Sequence, residues 1–197
     1  MQHYATESSI IEHYIPLDTY SHILAIGAIV ITAISLFLIL AYTLSASWRR
    51  KISSIPYQNY MVSIGVLSVV STIAVLLYQY AYGLLVCELC WWQRIFMFPI
   101  EFVVFWSLIR QIRGNELIIM SLSVFGIFFA SYHYYLHFTS WVLGQAISTP
   151  CEMGGILPSC ADPAGVVLWG FFTIPLMALL VFISIFILAW ISSRSQK

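Results

Sequence analysis

Apolar residues run almost unbroken through five stretches of this chain, residues 23–44, 60–85, 91–109, 117–138 and 166–191, and the segments between them hold most of the charge. A helix of about 20 apolar residues crosses the hydrocarbon of a bilayer, so each stretch predicts one membrane-spanning helix. None alternates apolar and polar positions with a period of two, which excludes a membrane barrel. The chain reads as all-α and polytopic. Pro99 and Pro175 fall inside predicted spans, where neighbouring helices can satisfy the carbonyls that proline frees.

Composition agrees with the pattern. Of 197 residues, 61% are hydrophobic and 8% charged, with a mean hydropathy of +0.91, too little polar surface for a water-soluble globule. The 8 basic and 8 acidic residues cancel and leave no cationic face for nucleic acid. Glu7, Glu12 and Asp18 precede the first apolar run where a cleaved leader would carry basic residues. Ser45-Ala46-Ser47 is small enough for a peptidase, but Trp48-Arg49-Arg50-Lys51 directly after it reads as a helix stopped at the cytoplasmic face. Arg49, Arg50 and Lys51 after the first span, Arg110 and Arg113 after the third, and Arg194 and Lys197 after the fifth fall on one side if the helices alternate. By the positive-inside rule that side is the cytoplasm. The N-terminus, the Cys87 region and residues 139–163 are then outward and the C-terminus cytoplasmic; Arg94 is the one basic residue on the outer side. Residues 1–56 read as an outward tail, an additional N-terminal transmembrane helix and a cytoplasmic loop. Residues 57–197 read as a four-helix transmembrane bundle with two outward cysteine loops.

Those loops carry the candidate chemistry. Cys87 and Cys90 lie between the second and third spans, Cys151 and Cys160 between the fourth and fifth, all facing the side on which disulfides persist. Structural staples are one reading. The Cys-X-X-Cys loop of the first pair is too short to restrict much of the unfolded chain, and its spacing is that of a redox couple. Cys90 opens the third helix, where unpaired amides and the helix dipole favour a thiolate. Arg94, one turn on and about 6 Å along the axis, faces the same way and can stabilise a thiolate or an oxyanion; an arginine snorkelling to the interface is the alternative. Trp91 and Trp92 read as interfacial anchors. A disulfide open to a protein partner and a thiolate at the acyl boundary are different demands, so two pairs suit a relay. The second loop is punctuated by Pro150, Gly154, Gly155, Pro158 and Pro163 and can face a partner and return. Cys-X-X-Cys-His fails because residue 91 is Trp, and no dinucleotide-binding glycine fingerprint is present.

CELCWWQR at 87–94, SYHYYLH at 131–137, PCEMGGILPSC at 150–160 and GFFTIPL at 170–176 resemble the DsbB family of membrane thiol oxidases, in particular its shorter BdbC-type branch, from about residue 57 to 191. The resemblance implies a protein of the bacterial cytoplasmic membrane. In such a protein a quinone, ubiquinone or menaquinone, drawn from the membrane pool reoxidises a secreted thioredoxin-fold partner of the DsbA type. It implies Cys90 as the thiol that meets the quinone and Cys87 as its disulfide partner. Arg94 and His133 are then quinone-binding groups. Cys151 and Cys160 are the shuttle pair, with Cys151 attacked by the partner and Cys160 linking back to Cys87. The additional first helix has no counterpart in that pattern. A quinone-coupled enzyme of the vitamin K epoxide reductase type and a metal-binding membrane protein using Cys87, Cys90, His133 and His137 are the competing readings; under the DsbB-type reading no metal site is expected. His137 reads as interfacial. Glu101, inside the third span, reads as a protonated structural carboxyl in preference to a partner of Arg94 or a proton relay.

Overall fold

The computed structural model describes residues 15–145, 151, 158–163 and 165–195. Glu7, Glu12, Pro150, Gly154, Gly155 and Lys197, which enter the sequence reading, lie outside the described residues. Among the described residues six α-helices follow in order: α1 Leu17–Leu44, α2 Ala46–Ser53, α3 Tyr57–Tyr80, α4 Glu88–Arg110, α5 Glu116–His137 and α6 Ile174–Ser195. All but the short α2 are long and apolar enough to cross a membrane. The protein is an all-α, multi-pass membrane protein; α3 to α6 form the four-helix bundle, and α1 lies along α6.

Helix ends follow local chemistry. α1 and α3 each begin directly after a proline, Pro16 and Pro56, with φ already near −58°, close to the helical value. Ser45 turns extended, ends α1, and accepts the Trp48 amide with its hydroxyl as the cap of α2. Ile52 in α2 is buried, and its carbonyl accepts the Tyr60 hydroxyl of α3 at 2.9 Å. α4 stops where Gln111 adopts a left-handed φ of 52°. α5 continues past His137 as one π-helical turn, Phe138–Val142.

Two boundaries differ from the hydrophobic pattern. The second apolar run extends to residue 85, but α3 ends at Tyr80, and Gly83 with a φ of 68° redirects the chain toward α4. Residues 166–173, read as the start of the last span, instead form a hairpin of β1 Val167–Leu168 and β2 Phe172–Thr173, turned through Trp169 and Gly170 at positive φ. Leu168, Phe172 and Thr173 are buried. An apolar run cannot by itself distinguish a buried strand from a buried helix.

The core of the bundle is built from Met61 and Ile64 of α3, Ile100 of α4, Ile119 of α5 and Ile185 of α6, all fully buried. At Gly126 of α5 the Phe182 ring of α6 occupies the place a β-carbon would take. Gly126→Ala therefore forces the two helices apart, a strain of about 1–3 kcal/mol on the usual scale of overpacking. The expected result is a lower thermal unfolding midpoint in detergent, restored in large part by adding Phe182→Leu; an unchanged midpoint in the single variant contradicts the close contact.

Candidate active site

The site is assembled where α3 hands over to α4. Cys87 occupies the N-cap of α4 with extended backbone, and Cys90 lies in the first turn, so the two sulfurs approach to 3.4 Å as free thiols. From α5, His133 places Nε2 3.5 Å from the Cys87 sulfur, and its Nδ1 is 3.0 Å from Nε2 of Gln93. A glutamine amide nitrogen can only donate, so Nδ1 accepts and the neutral ring carries its proton on Nε2, aimed at the sulfur. The bond from Cys90 first, then His133, hold the Cys87 thiol well below the ordinary thiol range despite the burial that opposes ionisation. Helix position favours a Cys90 thiolate; in the structure Cys90 and His133 both act on the Cys87 sulfur, which sits at the N-cap without a side-chain cap bond.

Arg94 does not snorkel. It is 7% exposed and turns into the bundle, where it donates to Gln79 Oε1 at 2.5 Å and, through Nη2, to the Val75 carbonyl at 3.5 Å. Its guanidinium lies 5.1 Å from the Trp91 ring centre and interacts electrostatically with Cys90. A buried cation needs such partners. Trp91 is 45% exposed, whereas Trp92 stacks on Phe129 with ring centres 5.2 Å apart.

The interfacial reading of His137 is corrected by its burial. The side chain is 4% exposed and meets His133 edge-on at 4.6 Å, because the turn that carries it faces inward from the last residue of α5. Glu101 is half-buried between helices and hydrogen-bonds Thr72 of α3.

Cys151 and Cys160 are joined by a disulfide. Both are buried, Cys160 completely, and with Cys87, Leu89 and Leu136 they form one packed cluster against which Cys90 also lies. The structure thus brings all four cysteines, Arg94 and His133 to one end of the bundle. Sequence reasoning missed Gln79 and Gln93. Each is a lone amide in or beside an apolar run, and Gln93 stands within CELCWWQR.

A cavity of about 580 Å³ adjoins the cluster, with Cys87, Cys90, Arg94, His133 and His137 in its lining, within the range of about 300–1,000 Å³ usual for small-ligand sites. Chemically, a dithiol beside a disulfide permits thiol–disulfide exchange. A cation and imidazoles beside the same dithiol suit a neutral ligand with acceptor oxygens. The ligand atoms of Cys87, Cys90 and His133 also lie within 4.8 Å of one another.

Residues 57–192, spanning α3 to α6, match the family described as disulfide bond formation protein DsbB. The SPbeta prophage-derived disulfide bond formation protein B of Bacillus subtilis is 36% identical over 120 residues, 61% of this chain and 76% of that protein. A probable disulfide formation protein of Oceanobacillus iheyensis is 30% identical over 142 residues, 71% of this chain and 92% of its own. One from Metapseudomonas resinovorans is 32% identical over 136 residues, 69% and 90% of the two chains. No solved structure matches the chain.

Proposed function

The chain belongs to the DsbB family of disulfide bond formation proteins, membrane disulfide oxidoreductases, and from that premise we propose that it oxidises a secreted thioredoxin-fold dithiol of the DsbA kind at the expense of a membrane quinone. The reading is supported above all by one observation, the packing of both cysteine pairs into a single buried cluster beside a cavity. Cys87, Cys90, Cys151 and Cys160 are the reacting residues, and Arg94 and His133 hold the quinone. Residues 1–56 are an appendage to the catalytic unit at 57–197. The protein sits in the bacterial cytoplasmic membrane with its N-terminus and cysteines outward and its C-terminus in the cytoplasm. The sidedness is supported by Arg49, Arg50, Lys51, Arg110, Arg113 and Arg194 near the helix ends remote from the cysteines.

In the relay the partner's dithiol attacks the Cys151–Cys160 disulfide and leaves as a disulfide, and the Cys151/Cys160 pair takes its two electrons and two protons. That dithiol then reduces a Cys87–Cys90 disulfide by the same exchange. Cys87 and Cys90 rejoin as they give up two electrons and two protons, for which a bound quinone supplies the acceptor. His133 fixes the orientation of the Cys87 sulfur, and groups that stabilise the thiolate favour the reduced form of the pair, which makes it the stronger oxidant. The fit to a quinone is supported by the Arg94 guanidinium, which has donors beyond those given to Gln79 and Val75, and by the imidazoles of His133 and His137 in the same lining.

The test is quinone reduction, followed by absorbance, by the purified full-length protein supplied with a reduced DsbA-type partner. One quinone should be consumed per partner dithiol, and Arg94→Ala should raise the KM for quinone at least tenfold, about 1.4 kcal/mol, because the cavity loses its cation. Partner oxidation at full rate without any quinone overturns the acceptor. The grouping of Cys87, Cys90 and His133 favours a second reading, a metal site; stoichiometric zinc in a reduced preparation that shows no thiol turnover selects it.

A further inference from the structure

We propose that α1, which lies outside the family match, is the outer wall of a channel that takes the polyisoprenoid tail of the quinone, and so sets which quinones bind. The proposal rests on the quinone reading above and adds a subsite to it.

The channel comes from how α1 is seated. Along its middle α1 is tied to α6, where the Thr32 hydroxyl lies 3.2 Å from both Ser184 Oγ and the Leu180 carbonyl. Its ties to α3 are at the cysteine end, where Tyr20 donates to the Ala74 carbonyl at 3.1 Å and Tyr78 to Ser21 Oγ at 2.9 Å. Below those tyrosines the cavity continues between α1 and α3. Its lining runs from Gln79, the partner of Arg94, to Leu67, about 18 Å of helix rise. At the rim Ile23, Val70 and Leu85 are 60%, 53% and 76% exposed, so the cavity opens toward lipid.

Gly27 of α1 faces this space, and a β-carbon built there meets nothing within 4 Å. The cavity therefore has two chemically different ends. One holds Arg94, His133 and His137 beside Cys90; the other is walled by Gly27, Ala28, Ile31, Leu67 and Val70. Inside a membrane or a detergent micelle a hydrocarbon chain gains little from leaving one apolar surface for another, so the head group brings the chain to the groove and each further unit adds the close packing of a preformed wall. A quinone has both parts: carbonyl oxygens for the donors near the sulfurs, and a linear chain of methyl-bearing isoprene units long enough to follow α1. A phospholipid would bring two acyl chains and a strongly hydrated, charged head group to a lining that holds a single Lys or Arg side chain, Arg94.

The experiment uses the full-length protein in detergent and measures equilibrium binding, by quenching of tryptophan fluorescence, of ubiquinones with no, one and two isoprene units, together with kcat and KM for each. Wild type should bind more tightly with each unit. Gly27→Phe should weaken binding of the two-unit quinone at least tenfold while leaving affinity and kcat for the tail-less ring within twofold; Gly27→Ala should resemble wild type. If Gly27→Phe does not fold, Ile31→Trp narrows the same channel from the next turn. Equal losses for tailed and tail-less quinones, or tail dependence that persists in the plugged variant, overturn the proposal. So does loss of a co-purifying phospholipid on plugging with quinone binding unchanged. A wild type that binds the quinones without regard to tail length removes the channel and leaves the acceptor reading intact; a wild type that binds none removes both.

Discussion

Cys90→Ser is expected to reduce quinone-linked turnover to background, a loss on the order of 10³-fold or more, the scale seen when a reacting nucleophile is removed. The reason is electron bookkeeping at the sulfur atoms. Two electrons leave the reduced pair only as a bond forms between Cys87 and Cys90, which stand 3.4 Å apart; a serine oxygen cannot close that bond. The substitution is nearly isosteric, and Arg94 keeps Gln79 and Val75 as partners, so the helix and the cavity should persist. An unchanged thermal midpoint and an unchanged circular dichroism spectrum separate lost chemistry from lost fold. The same variant should still exchange with a reduced partner once, through Cys151–Cys160, giving a single stoichiometric oxidation in place of turnover. Wild-type turnover in Cys90→Ser ends the relay scheme.

The five spans and the two cysteine pairs were legible because their signals are local: runs of apolar residues, and spacings of three and nine. Arg94 and His133 were legible through their place in CELCWWQR and SYHYYLH. What was hidden depends on three-dimensional direction. Apolar stretches look alike whether helical or paired as strands, so the hairpin at residues 167–173 was absorbed into a helix. His137 looked interfacial because it ends an apolar run, yet four residues after His133 it repeats the same inward face. Gln79 and Gln93 are each the partner of a more conspicuous residue, Arg94 and His133, and a partner cannot be chosen before the helices are placed. The extra first helix had no legible role because the open space at Gly27 exists only once α1, α3 and α6 are assembled.

Cys160→Ser should separate the two halves of the reaction. Cys160 is fully buried and packs with Cys87 in the same cluster, while its bond to Cys151 is the disulfide that a partner's thiolate would attack. Without Cys160 that bond cannot form, and partner-driven quinone reduction should fall to background. The Cys87/Cys90 pair, His133 and Arg94 are untouched, so reduction of quinone by a small dithiol such as dithiothreitol, which can reach the first pair directly, should stay within a few-fold of wild type. A polar serine hydroxyl left buried costs about 1–3 kcal/mol if it finds no partner, a modest drop in thermal midpoint that both assays share and that the ratio of the two rates cancels. Two results contradict the assignment. Retained partner-driven turnover means that the thioredoxin-fold protein reaches Cys87 and Cys90 unaided, and equal loss with the small dithiol means that Cys160 supports the first pair structurally instead of feeding it electrons.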